Sequence, residues 1–281
     1  MSADHANISP EQWRELLDHR DTSLLEVALH QQPELVKTKI TGCDHPHGAM
    51  PLSYIAMQRF DTVAMRWRNV ERTGPVAQLL IDAGASIEGV DGDRETPLIT
   101  AASYGDAEVA AVLISAGADL DAISAHNSGG VPSSTAVQHA AVFGMTDVLD
   151  VLVAAGARIT SLEEAAAAGD VSQWLPSASN EQTKIRALVM AVDHQRIDVI
   201  DELIHAGTPF DGADVSWGRH PLRLAAVNGR VNSVRSLLAH GADRTLRDGE
   251  GLSALDHCRA GLTNGLDTKS YHAIEALLTS V

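Results

Sequence analysis

The sequence predicts an all-α fold: a solenoid of about six or seven stacked helix-turn-helix units, irregular in the first and middle units. Three observations predict it. The first is a returning phrase. Thr96-Pro97-Leu98, Ala101-Ala102, Gly105 and Gly117-Ala118-Asp119 recur as His220-Pro221-Leu222, Ala225-Ala226, Gly229 and Gly241-Ala242-Asp243. Met50-Pro51-Leu52 leads, more slowly, to Gly84-Ala85. The second is composition: apolar residues reach 44% but aromatics only 4%, so the core must be Ala, Leu, Val and Ile. Small residues let short helices approach closely. The third is spacing. Register marks at Leu52, Leu98, Val137, Leu162, Leu188, Leu222 and Leu255 lie 46, 39, 25, 26, 34 and 33 residues apart. One block cannot bury its apolar face alone, so residues 1–281 are expected to form a single repeat domain.

The elements follow in order. Ser9-Pro10-Glu11-Gln12 has N-cap signals and opens an amphipathic helix with Trp13, Leu16 and Leu17. Leu24 to Val36 reads as a degenerate unit, which makes residues 1–46 an N-terminal cap. Repeats are expected over 47–250. In the unit at Leu98, Thr96 caps a helix and Pro97 sits in its first turn, where a lost N–H costs nothing. Gly105 ends that helix, Val109, Val112, Leu113 and Ile114 face a second one inward, and Gly117 ends the pair. The same grammar runs through Ala140-Ala141 to Gly156-Ala157. It runs again from Leu188 to Gly207, with Arg186-Ala187 replacing Thr-Pro. Ser253-Ala254-Leu255 starts the last unit, and Ala273, Ile274, Leu277 and Leu278 close a cap over 251–281.

The departures are local. An insertion near Arg59 to Arg72, holding Trp67, Arg66 and Arg68, must lengthen the helices or loop out. The loop from Ser124 to Ser134 is long and rich in Gly and Ser. The unit at Thr160-Ser161-Leu162 has almost no loop before it, and its second helix is expected to stop at Pro176. A short loop beside a long one is expected to notch the concave face.

The Thr-Pro-Leu, Ala-Ala, Gly and Gly-Ala-Asp phrase resembles the ankyrin repeat, over roughly residues 24 to 278. That resemblance implies a concave groove lined by the two residues after each Ala pair and by finger loops. The groove pairs are then Ser103-Tyr104, Val142-Phe143, Ala167-Ala168, Asp193-His194 and Val227-Asn228, with Gln58-Arg59 from the irregular first unit. The fingers add Asp91 to Arg94, His126-Asn127, Trp217 and Arg219. It implies a module that grips a protein partner, with Tyr104, Phe143, His194, Trp217, Arg219 and Asn228 as binding candidates. The alternative is a small-molecule or catalytic pocket in the irregular middle repeats, using His139, His194 and Asp193. An imidazole beside a carboxylate suits acid–base chemistry, yet neighbours in a helix do not face each other.

Composition bounds the partner. A net charge of −16 argues against nucleic acid, which needs clustered Lys and Arg. No segment nears the roughly 20 apolar residues of a membrane span. Cys43 and Cys258 lie at opposite ends of the array and are expected to be free thiols in a reducing, cytoplasmic setting. The polar stretch Met1 to Pro10 has no apolar signal core. Asp44-His45-Pro46-His47 lacks further zinc ligands, so neither metal nor cofactor is expected. Gly129-Gly130 lacks the Lys-Ser/Thr of a phosphate loop. Asp91-Gly92-Asp93 lacks the closing Glu of a calcium loop and reads as a turn.

Overall fold

The computed structural model describes residues 7–41, 48–61, 66–264 and 267–280. The chain falls into two compact units, Met1–Arg158 and Ile159–Val281.

The first unit opens with α1 (Pro10–His19) and α2 (Thr22–Gln31). The capping signals of α1 act as read. The Ser9 hydroxyl accepts from the Gln12 N–H at 3.2 Å, and the Gln12 side chain accepts from the Ser9 N–H at 2.8 Å. Trp13 and Leu17 are fully buried. The cap joins α3 (Pro51–Ala56) through Asp18, which accepts from Tyr54 Oη at 2.6 Å and Gln58 Nε2 at 3.0 Å. Gln58, expected on the groove, is thereby spent on this joint and is 5% exposed.

The insertion takes neither of its two expected forms. It makes an antiparallel ribbon of β1 (Phe60–Asp61) and β2 (Arg66–Trp67), with Phe60 opposite Trp67. Helix α4 (Thr73–Asp82) follows. Two regular pairs come next, α5 (Pro97–Tyr104) with α6 (Ala107–Ser115), and α7 (Ala136–Phe143) with α8 (Thr146–Ala154). Thr96 accepts from the Ile99 N–H at 3.2 Å, and Gly105 closes α5 at φ 69°, where a Cβ would strain the backbone. Leu52, Leu98 and Val137 are buried, so the register marks face the inter-helix core. The long finger is tied at its base, where the Ser124 N–H donates to the Ser134 carbonyl at 2.9 Å. It is also tied to the preceding finger, because the Ala125 N–H donates to the Arg94 carbonyl at 2.7 Å. Asp91-Gly92-Asp93 forms the turn that the sequence suggested, with Gly92 at φ 91°.

The second unit begins with α9 (Leu162–Ala168), capped by Ser161. The expected second helix before Pro176 does not form. Gly169 ends α9 at φ 104°, Val171 drops into the core, and a 3₁₀ turn at Leu175–Ser177 carries the chain onward. The next helix, α10 (Glu181–Asp193), starts before the Arg186-Ala187 position, because Asn180 caps it by accepting from the Thr183 N–H at 3.0 Å. Then come α11 (Ile197–His205), α12 (Pro221–Val227), α13 (Val231–Ala239), α14 (Ala254–Asn264) and α15 (Thr268–Thr279). Leu162, Leu188 and Leu222 are buried as marked. Leu255 is only half-buried; Ala254 and Cys258 take the core positions. Gly261 lets α14 approach its neighbours: a Cβ there would lie 2.5 Å from a Tyr271 ring carbon and 2.9 Å from the Val227 carbonyl. Cys258 is a free, buried thiol, while Cys43 lies outside the described residues. Among the described residues, no helix is long and apolar enough to cross a membrane.

Candidate functional site: an aromatic cleft in the first unit

A cleft of about 400 Å³ opens on the first unit, lined by Phe60, Trp67, Tyr104 and Phe143 with Glu95, Thr100, Ser103, Gly129, Gly130 and Met145. A neighbouring depression of about 260 Å³ shares Glu95, Thr100, Tyr104 and Gly129 with it. Tyr104 and Phe143 arrive here by repeat logic, since each ends the first helix of its pair, directly before the αL glycine. Phe60 and Trp67 arrive on the ribbon, their ring centroids 4.9 Å apart in an edge-to-face arrangement. Trp67 is 40% exposed and Phe143 37%, so these walls meet solvent.

The ribbon is anchored from behind. Arg59 directly precedes Phe60 of β1. Its Nε lies 3.3 Å from Asp106 Oδ2, in an ion pair without hydrogen-bond alignment, and its Nη2 lies 3.5 Å from Glu108 Oε1. Asp106 is fully buried, caps α6 through the Val109 N–H at 3.1 Å, and accepts from the Thr73 hydroxyl at 3.0 Å. Burial pushes its carboxyl pKa up, while Arg59 pulls it down.

His139 lies behind the lining residues Ser103 and Gly130. It is fully buried, with Nδ1 2.8 Å from Ser103 Oγ and Nε2 3.4 Å from Ser124 Oγ. Burial lowers its pKa, opposed by Glu95 and by a hydrogen bond to the Val131 backbone. The ring thus bridges α5 to the long finger. Gly130 is glycine for this reason: a Cβ would sit 3.0 Å from His139 Cε1. Ser103 is occupied further, donating to the Ile99 carbonyl at 3.0 Å. Glu95 accepts a short hydrogen bond from the Ser128 hydroxyl on the same finger.

The other site candidates belong to the second unit. Asp193 is 3% exposed and accepts from Asn228 Nδ2 at 2.9 Å and Arg230 Nε at 3.0 Å. These bonds lock α10 to the α12–α13 pair. His194 is 2% exposed. Asp193 and His194 are therefore packed into the unit, whereas Asn228 stays exposed while it donates to Asp193. Trp217 is displayed at 47% exposure. Buried Asp214 shapes its loop by accepting from the N–H groups of Ser216, Trp217 and Arg219, each at 3.0 Å. The Arg219 guanidinium lies 5.0 Å from the Trp217 ring centroid, in cation–π range.

Tyr104 and Phe143, both named from the sequence, line one cleft; Phe60 and Glu95 were not named as their neighbours, and Trp67 was noted without being placed. Phe60 and Trp67 belong to an insertion outside the repeat grammar. Glu95, one residue before the Thr-Pro cap, gave a usable signal, because that register position borders a finger. Among the described residues no group of three His, Cys, Asp or Glu side chains is placed to hold a metal ion. His45 and His47 lie outside those residues.

Antiparallel helix pairs joined by fingers and packed through Ala-Ala faces define a helical repeat protein. Residues 63–163 match the family model for ankyrin repeats in three copies, and residues 217–249 match the single ankyrin repeat model. The chain belongs to the ankyrin-repeat family. Curated relatives include the 2-5A-dependent ribonuclease of Mus musculus, 33% identical over 79 residues, which are 27% of this chain and 11% of that protein. Another is the Espin-like protein of Homo sapiens, 40% identical over 58 residues, 21% of this chain and 6% of that protein. The matches thus span about a tenth or less of each relative. Among solved structures, the human ASB11 ankyrin repeat domain is similar at 22% identity and a TM-score of 0.38, over 82% of this chain and 98% of that chain.

Proposed function

We propose that this chain is a binding module that grips a protein partner through the aromatic cleft and finger loops of its first unit. Ankyrin repeats generally mediate protein–protein interaction. The observation that carries the reading is the gathering of aromatics. The chain has only three Phe, three Tyr and four Trp, yet Phe60, Trp67, Tyr104 and Phe143 converge on one open cleft. Partly exposed aromatics of this kind are the usual anchors of protein interfaces. His139 and Ser103, which a catalytic reading would claim, are engaged with the finger and the helix that shape the cleft.

The test is selection of a phage-displayed random peptide library on the full chain. Enriched peptides are expected to bind Tyr104→Ala or Phe143→Ala at least about tenfold more weakly, corresponding to a hot-spot loss above 1 kcal/mol. Unchanged thermal unfolding of the variants would show that the fold is kept. Enriched peptides indifferent to both substitutions would move the interface away from the cleft.

A further inference from the structure

We infer that the cleft receives an arginine side chain of the partner; this rests on the binding-module reading above and names the chemistry at its centre. The walls are aromatic faces and edges from the ribbon and from the ends of α5 and α7, and they carry the quadrupole that attracts a cation. Within them stands one carboxylate, Glu95. Its described partners are the Ser128 hydroxyl, which binds Oε1, and the buried His139 ring, whose pKa burial lowers. Oε2 remains as an acceptor.

None of the described residues lining the cleft is Lys or Arg. The nearby arginines lie outside that lining. Arg66 alternates with Trp67 in β2 and so faces the other side of the ribbon, and Arg68, just past the strand, lies 3.9 Å from Asp61. Arg59 is spent on Asp106, and Arg94 lines the neighbouring depression. The cleft therefore presents an aromatic hollow with a carboxylate in it and has no Lys or Arg among its described lining residues. A guanidinium fits better than an ammonium. It is planar, stacks on aromatic faces, gives up hydration more readily, and donates from a fork to a carboxylate.

The probe is a capped Gly-Ala-Arg-Ala-Gly peptide, with counterparts carrying citrulline, lysine or trimethyllysine in place of the arginine. Each is titrated at millimolar concentration into the full chain while the Trp67 indole N–H is followed by NMR, assigned with Trp67→Phe. The arginine peptide is expected to shift that signal saturably and to bind at least about tenfold more tightly than the citrulline peptide. Glu95→Gln keeps an acceptor for Ser128 and is expected to abolish that preference. Should Glu95→Gln fail to fold, Trp67→Ala on the exposed ribbon replaces it and is expected to weaken the arginine peptide by a similar factor. Equal binding of citrulline and arginine, tighter binding of trimethyllysine, or no Trp67 shift would each overturn the arginine assignment. If library peptides still depend on Tyr104 in those cases, the binding module stands and only its cargo changes.

Discussion

At the scale of single residues, His139 shows how the site is built. Its buried ring joins Ser103 of α5 to the finger that carries Ser124 and Val131. Burial penalises an imidazolium at this place more than Glu95 and the Val131 hydrogen bond favour it. The folded pKa is lowered below the ordinary value of 6.5. The unfolded chain therefore binds a proton at higher pH than the folded one. Stability is then full above pH 6.5 and falls as the pH drops from there toward the folded pKa. Chemical denaturation between pH 7.5 and pH 5 should show that fall, and His139→Gln should flatten it. An unchanged slope in the variant would remove His139 as its source. The sequence placed His139 between groove and core but could not show what the ring touches, because Gly130 and Val131 reach it only through a folded loop. His194 and Asp193 misled for the converse reason. Their register position is a groove position, but Asn228 and Arg230 of the next repeat pull Asp193 inward.

At the scale of elements, the regular pairs were legible because their signals are local: a capping Thr, a first-turn Pro, an Ala pair and a closing Gly. Leu98, 1% exposed, follows from that register. Leu98→Ala should cost about 2–5 kcal/mol in urea denaturation, as deep core truncations do. A loss nearer that of a surface site, below about 0.5 kcal/mol, would show that the α5 register is misassigned. The ribbon was not legible. Two-residue strands are too short to show a period, and what fixes them is distant in sequence: Arg59 on Asp106, and Phe60 against Trp67. Arg59→Met should therefore destabilise the first unit by about 3–5 kcal/mol, since it strands a buried carboxylate. Protonation of Asp106, whose pKa burial already raises, would relieve part of that loss at low pH. Asp106→Asn in the Arg59→Met background should recover stability at neutral pH. Additive losses in the double variant would mean that the two side chains are not coupled.

At the scale of the molecule, charge and cleft act together on a partner. The chain carries 37 Asp and Glu against 21 Lys and Arg, a net charge of −16. A field of that sign repels nucleic acid and draws basic segments toward the surface before any contact forms. Bound arginine would meet a second, shorter-ranged interaction, with Glu95 held among aromatic rings and partly shielded from solvent ions. Salt should separate the two. Exposed charges are screened over about 8–10 Å at 0.1–0.15 M ionic strength, whereas partly buried pairs are screened less. Stopped-flow fluorescence with a basic, arginine-bearing peptide from the library selection should therefore show an association rate constant that falls by about tenfold or more as ionic strength is raised from about 0.01 M to about 1 M, where screening shortens from about 30 Å to about 3 Å. The dissociation rate constant should change little with salt and rise with Glu95→Gln. An association rate indifferent to salt would mean that the acidic surface does not steer this partner. A dissociation rate that rises with salt as steeply as association falls would place the recognised cation on the open surface instead of inside the cleft.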